Sequence, residues 1–215
     1  MTFSEENYLK TIYHLTAVSE VDISTNAIAE KIETKASSVT DMLKKLSEKE
    51  LVNYVKYQGV SLTNQGQLAA KMIVRKHRLW ETFLVEKLDF SWDEVHDLAE
   101  QLEHIKSEKL INKLDDFLGN PTEDPHGDPI PDANGRIIKV EKQLLSEFEK
   151  NRVGICVGVK DTSSDFLKYL DKQEIALGSQ IEIIEKESFD SSFRIRVGTK
   201  EITISNKIAS NLYIK

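Results

Sequence analysis

The sequence predicts a mainly α-helical chain with a small β domain at its end, and three observations predict it. Apolar residues recur at the helical period through most of residues 4–117. Within the first 62 residues a helix, tight turn, helix pattern is followed by a hairpin signal. From about residue 153 short strand-like runs replace the helical period. These divide the chain into an N-terminal winged helix-turn-helix over residues 1–62, a helical domain over 63–140, a linker over 141–152 and a small β-barrel over 153–215.

The first helix begins at Ser4, which can cap it, and carries Tyr8, Leu9, Ile12, Tyr13 and Leu15 on an apolar face. A break follows over residues 19–23. STNAIAEKI then makes a short helix started by Ser24 or Thr25. The stretch ASSVTDMLKKLSEKELV predicts a longer helix, residues 36–52, with Val39, Leu43 and Leu46 facing inward. In a helix-turn-helix this second helix enters the DNA major groove. Its outward residues would be Lys35, Ser37, Ser38, Thr40, Asp41, Lys44 and Lys45, whose hydroxyls suit phosphates or base edges and whose lysines neutralise phosphates. LVNYVKYQGVSLT reads as two strands around Gln58 and Gly59, a wing with Lys56, Tyr57 and Gln58 at its tip. The competing use of such a small domain is protein contact.

Thr63 caps the next helix, residues 64–88, which is apolar along Leu68, Met72, Leu79, Trp80, Phe83 and Leu84. SWDEV is a capping pattern that starts another helix at Ser91, expected to reach residue 105, and Ser107 starts a third through Phe117. These helices carry more apolar residues than one slim layer can bury, which implies a dimerisation core. Residues 120–136 hold all four prolines and read as a loop. KVEKQLLSEFEK, residues 139–150, is expected to be helical. GICVGV, QIEIIEK, FRIRVG and EITISN are the strands of the barrel, with the helix SSDFLKYLD among them and Gly178 ending a turn.

At 215 residues the chain has room for two or three small domains, and 40% hydrophobic with 30% charged residues describes an ordinary globular protein. No run approaches the roughly 20 apolar residues of a membrane span, and MTFSEENYLK lacks the features of a signal peptide. The single cysteine, Cys156, sits in an apolar strand and fits a reducing, cytoplasmic setting. A net charge of −7 does not exclude DNA, because affinity follows a local basic surface rather than the whole-chain sum.

The chemistry concentrates in residues 77–104. His77 and Glu81 stand four apart, and His96, Glu100, Glu103 and His104 follow at steps of four, three and one, so each segment gathers imidazole and carboxylate on a helix face. Mixed nitrogen and oxygen donors suit a divalent transition metal. A single glutamate there would be a solvated helix face. But three of the chain's five histidines lie in this stretch, which favours a metal site. Asp124 and His126 stand in the proline-rich loop, where a rigid segment can close such a site.

SSVTDMLKKL, KHRLWETFL, VHDLAEQLEHI, DPHGDPIP, ALGSQIEI and the final IASNLYI together resemble the diphtheria-toxin-repressor family of metal-dependent regulators, over essentially the whole chain. The resemblance is to the three-domain form with an SH3-like C-terminal domain. It implies two metal sites per subunit. One would use His77 and Glu81 with Asp124 and His126, Asp161 reaching in from the barrel and His96 as a further donor. The second would use Glu100, Glu103 and His104, completed by Asn7 of the first helix. Asn7 departs from the Asp or Met of relatives, and Lys10 replaces a carboxylate of the manganese branch.

The residues and the resemblance agree on a mechanism. A metal held by Asn7 and by Glu100, Glu103 and His104 would fix the DNA-binding domain against the dimer core and relieve repulsion among carboxylates. A homodimer would then present two recognition helices to double-stranded palindromic operator DNA, with no membrane and no small organic substrate involved. The donors are oxygen-rich and lack a thiol, which favours Mn²⁺ over Fe²⁺, while Zn²⁺ can substitute in vitro. A metalloenzyme on a helical bundle and a metal-independent winged-helix regulator are the alternatives. The first leaves the winged helix unexplained, and the second leaves the histidines unexplained.

Overall fold

The computed structural model describes residues 1–17, 22–56, 58–138 and 140–215. Two compact units make up the chain. The first comprises Met1–His77, Glu100–Lys113 and Pro131–Ile137, and the second comprises Arg78–Ala99, Leu114–Ile130 and Ile138–Lys215.

The first unit contains the winged helix. Helix α1 (Phe3–Ala17) buries Tyr8, Leu9 and Ile12. Helix α2 (Thr25–Lys31) is capped by Ser24, whose Oγ accepts the Ala27 N–H at 3.1 Å. Helix α3 (Ala36–Glu48) turns Val39, Leu43 and Leu46 into the core, as the period predicts. It stops short of residue 52 because Glu50 takes a left-handed φ of 58° and the Leu51 N–H bonds back to Leu46 at 3.0 Å. Strands β1 (Val52–Val55) and β2 (Gly59–Leu62) then pair antiparallel, Val52 opposite Leu62 and Val55 opposite Gly59. Ile23 and Val60 exchange backbone hydrogen bonds, which ties the turn before α2 to the wing. The expected wing-tip residue Tyr57 lies outside the described residues, as do four residues, 18–21, at the expected break after α1.

Helix α4 (Asn64–Leu88) starts where Thr63 Oγ1 accepts the Gly66 N–H at 3.0 Å. A Cβ at Gly66 would stand 1.8 Å from the Leu51 carbonyl oxygen, so only glycine lets α4 leave the wing this closely. Helix α5 (Val95–Leu102) is shorter than residues 91–105. The capping pair is there, with Ser91 Oγ donating to Glu94 Oε2 at 2.7 Å. Residues 92–94 nevertheless form a turn, because Trp92 packs on the β-domain core and donates to the Asp171 carboxylate. Helix α6 (Glu108–Phe117) begins at Ser107, whose Oγ accepts the Leu110 N–H. Among the described residues no helix is long and apolar enough to cross a membrane.

The β domain lies in the second unit. Its sheet has six antiparallel strands in the order β3-β8-β4-β5-β6-β7. They are β3 (Gln143–Leu144), β4 (Val153–Val159), β5 (Gln180–Lys186), β6 (Phe193–Val197), β7 (Lys200–Ile204) and β8 (Leu212–Ile214). Helix α7 (Ser164–Lys172) buries Phe166, Leu167 and Leu170 against this sheet, and the short α8 (Asn206–Ala209) precedes β8. Of the helix expected over residues 139–150, the described residues 140–150 form no α-helix. Gln143 and Leu144 pair with Ile214 and Tyr213 of β8, and a single 3₁₀ turn, Leu145–Glu147, sends Leu145 and Phe148 into the core of the β domain. Pairing to the last strand outweighs a helical pattern too short to stand alone. Cys156 is buried, and burial pushes its thiol up to about 11, which suits a packed strand residue rather than a reactive one.

Candidate metal centre

In the second unit three buried donors converge. Glu81 comes from α4, and Asp124 and His126 come from the proline-rich loop. Their ligating atoms all lie within 4.8 Å of one another. The loop is held in shape by its own backbone. Asp124 Oδ1 accepts the N–H groups of His126 at 2.8 Å and Asp128 at 3.0 Å, and Gly127 returns an N–H to the Asp124 carbonyl. Gly127 has φ 79°, and a Cβ on it would lie 2.1 Å from the Val157 carbonyl oxygen, so the loop meets β4 only through glycine. The His126 carbonyl accepts from Val159 N–H at 2.9 Å, which fastens the loop to that strand.

The orientation of His126 matters most. Its Nε2 lies 2.8 Å from the Trp92 carbonyl oxygen, and its ring stacks on Trp92 at 6.2 Å with planes 9° apart. In the neutral imidazole Nε2 therefore carries the proton, and Nδ1 is the lone-pair nitrogen. Nδ1 faces Glu81 at 3.7 Å and Asp124 at 4.0 Å. His96, half exposed, places its Nδ1 3.5 Å from the other Glu81 oxygen.

Burial and mutual charge set the protonation of this group. Burial and then the Glu81 charge push the Asp124 carboxyl up to about 7, while Arg78, 3.3 Å away, opposes them. Burial disfavours the charged form of His126, but Glu81 and Asp124 outweigh it and hold the imidazole above its ordinary value. Two buried carboxylates and an imidazole whose donor atoms converge, with Arg78 beside Asp124 only, form a donor set that a divalent ion fits. No thiol is among the donors.

In the first unit a second set forms around the end of α5. Glu103 is fully buried, and His77 Nδ1 stands 2.6 Å from its Oε2. The ligating atoms of His77, Glu100 and Glu103 also lie within 4.8 Å of one another. This set already contains a cation. Lys10 Nζ hydrogen-bonds Glu100 Oε1 and stands 2.8 Å from each oxygen of Glu103, donating to Oε2 and holding Oε1 by charge alone. Burial raises Glu103, yet the His77 contact and the Lys10 charge prevail and hold it below the usual carboxylate range. His104 pairs through Nδ1 with Glu6 Oε2 at 2.6 Å and stacks on Phe3 at 4.5 Å.

The expected residues thus fall into groups. Glu81, Asp124 and His126 come together with His96 beside them. His77, expected with Glu81 one turn along α4, is also drawn to Glu103. Glu100 and Glu103 meet as expected. Asn7 keeps a buried Oδ1 without a hydrogen-bond partner among the described residues. Asp161 accepts the Ser163 N–H at 2.9 Å ahead of α7 and joins none of the donor groups found among the described residues. Glu6 is a participant that the sequence reading did not name, and Lys10 entered it only as a replacement for a carboxylate. Their spacing puts both on one face of α1 but does not say what packs against that face.

The candidate DNA surface is on α3. Lys35, Ser37, Ser38, Asp41, Lys44 and Lys45 are exposed and Thr40 is half-buried, its hydroxyl donating back to the Ala36 carbonyl at 3.0 Å. Lys44 pairs loosely with Asp41 at 3.4 Å. Lys56 and Gln58 are exposed at the wing tip.

Comparison with known proteins joins these features. Residues 1–60 match the N-terminal DNA binding domain of the iron dependent repressors, residues 63–132 match their metal binding and dimerisation domain, and residues 143–215 match the FeoA domain. The iron-dependent repressor IdeR of Mycobacterium leprae is 35% identical over 180 residues, 73% of this chain and 78% of that protein. The diphtheria toxin repressor of Corynebacterium diphtheriae is 25% identical over 220 residues, 98% of this chain and 96% of that one. A solved manganese-dependent transcriptional repressor in complex with manganese superposes with a TM-score of 0.86 at 33% identity, over 98% of both chains. The chain therefore belongs to the iron-dependent repressor family and is a metal-dependent, DNA-binding transcriptional repressor.

Proposed function

We propose that this repressor is switched by Mn²⁺ in preference to Fe²⁺, acts in the cytoplasm as a homodimer on palindromic operator DNA, and controls metal-uptake genes. The observation that carries the metal assignment is the buried, thiol-free set of Glu81, Asp124 and His126, aimed by the His126–Trp92 hydrogen bond. Carboxylate oxygens with one or two imidazoles suit a hard divalent ion, and Zn²⁺ would also enter such a set in vitro. His96 stands ready as a further donor, and His77 precedes Glu81 by one turn of α4. Asp161 is retained as an oxygen donor from the barrel. A second site would draw on Glu100 and Glu103, with His104 and Asn7 at its margin. The functional division follows residues 1–62 for DNA, 63–140 for metal and dimerisation, a linker over 141–152 and the β domain over 153–215.

The switch works through α1. Lys10 and Glu6 of α1 reach Glu100, Glu103 and His104, so ligation there sets how firmly the winged helix is held. When bound, the metal supplies the positive charge that gathers these carboxylates. Coupling of this kind is typically about 1–3 kcal/mol, or roughly 5–150-fold in DNA affinity. Leu68, Leu88, Leu110 and Phe117 are large apolar side chains left exposed on α4 and α6, which supports a second copy covering them. Two recognition helices would then meet successive major grooves about 34 Å apart. The metal is a switch rather than a catalytic centre.

The test is DNA binding by chelator-stripped protein to a palindromic fragment from upstream of its own gene, with Mn²⁺, anaerobic Fe²⁺, Zn²⁺ and Mg²⁺ in parallel. Binding switched on by Mn²⁺ or Fe²⁺ and not by Mg²⁺ is the expected result. Equal binding with and without metal would overturn the reading.

A further inference from the structure

The reading above gives Glu100 and Glu103 to a divalent ion, yet in this chain they already hold a cation of its own. Lys10 reaches them from the third turn of α1, its side chain 11% exposed against 0% for Glu103 and 34% for Glu100. Its ammonium stands 2.8 Å from both Glu103 oxygens and bonds Glu100. These are the same carboxylates that, with His77, lie close enough to ligate a metal. An ammonium and a divalent ion cannot share them, because two positive charges within a few ångströms in a buried site repel strongly.

The surroundings add to the effect. Glu6 is engaged by His104 at 2.6 Å. On α1 the residue that could add an anionic donor is instead Asn7, neutral, with its buried Oδ1 unpartnered.

We propose that Lys10 is a resident antagonist of metal at this pair. A divalent ion gains Glu100 and Glu103 only by displacing the ammonium, so this site fills at higher metal concentration than the Glu81–Asp124–His126 set. Lys10 thereby sets the threshold of the second metal step. It also keeps α1 joined to α5 when metal is scarce, since its charge does part of what the ion would do. The inference rests on the reading of the chain as a metal-switched repressor.

The experiment titrates MnCl₂ into full-length, chelator-stripped protein and follows free Mn²⁺ by electron paramagnetic resonance. Wild type is compared with Lys10→Met, His126→Ala and the double variant. Methionine keeps the length of the side chain and removes the charge. Lys10→Met is expected to tighten one Mn²⁺ equivalent by about tenfold or more, and the gain is expected to persist in the double variant. In thermal melts the metal-free Lys10→Met protein should lose stability that Mn²⁺ restores by a wider margin than in wild type. A Lys10→Met isotherm that overlays wild type overturns the proposal. Should His126→Ala leave the isotherm of wild type untouched, the assignment of the first site fails, while the Lys10→Met comparison still decides the role of Lys10. If Lys10→Met does not fold without metal, folding on addition of MnCl₂ supports the proposal, and a chain still unfolded at saturating MnCl₂ overturns it.

Discussion

Asp124 should dominate the pH dependence of the metal-free chain near neutrality. Its carboxyl is pushed up to about 7 by burial and the Glu81 charge, from an ordinary 3.8, so ionisation is penalised only in the folded state. The stability tied to this group is fully present below 3.8 and is lost as pH rises through about 7. His126, also raised, acts in the same direction. Metal-free wild type should therefore melt at a lower temperature at about pH 8 than at about pH 5. Asp124→Asn should flatten that slope, as should saturating Mn²⁺, and calorimetry over this range reads it directly. A slope unchanged by Asp124→Asn would contradict the electrostatic account of the site. Glu103 works in the opposite sense. Its carboxyl is held below 4.5, so its contribution is present above that value and is lost as pH falls through the folded one.

Among the elements, the proline-rich loop carries the most chemistry for its length. Gly127 is its hinge to β4, with a positive φ and no room for a Cβ beside Val157. Gly127→Ala should cost about 1–3 kcal/mol of stability. Because the strain falls between His126 and Asp128, it should also weaken Mn²⁺ binding, which the same titration measures. Unchanged binding at unchanged stability would mean that the loop is not anchored as described. The elements also show what was legible in the sequence. The periods of α1, α3, α4 and α6 and the caps at Ser24, Thr63 and Ser107 depend on local rules, and the sequence states them openly. Residues 139–150 misled because LLSEF has a helical spacing, while its fate is decided by pairing with β8, some 70 residues away in the chain. The candidate donors Glu81, Glu103 and His126, which the fold brings into two groups, were legible from residue type and spacing. The contacts of Lys10 and Glu6 were not, because a lysine and a glutamate on a surface-like helix gain meaning only from what packs opposite them.

At the scale of the whole molecule, the chain combines a winged helix that exposes lysines and serines on α3, a helical segment with two donor sets, and a six-stranded β domain that fastens the His126 loop through Val159. An acidic protein of net charge −7 binds DNA by presenting a basic tip while its carboxylates are occupied elsewhere. In the metal-free chain Lys10 neutralises part of the Glu100 and Glu103 set, while Glu81, Asp124 and His126 are left for metal. The central claim is that the Glu81–Asp124–His126 set is the primary metal site of this repressor. Anomalous diffraction at the manganese absorption edge, from crystals of the full chain grown with limiting MnCl₂, tests it most directly. The account predicts the strongest peak between those three side chains, with any weaker peak at Glu100 and Glu103 growing only as MnCl₂ is raised. A sole or stronger peak at Glu100 and Glu103 at limiting metal would contradict it.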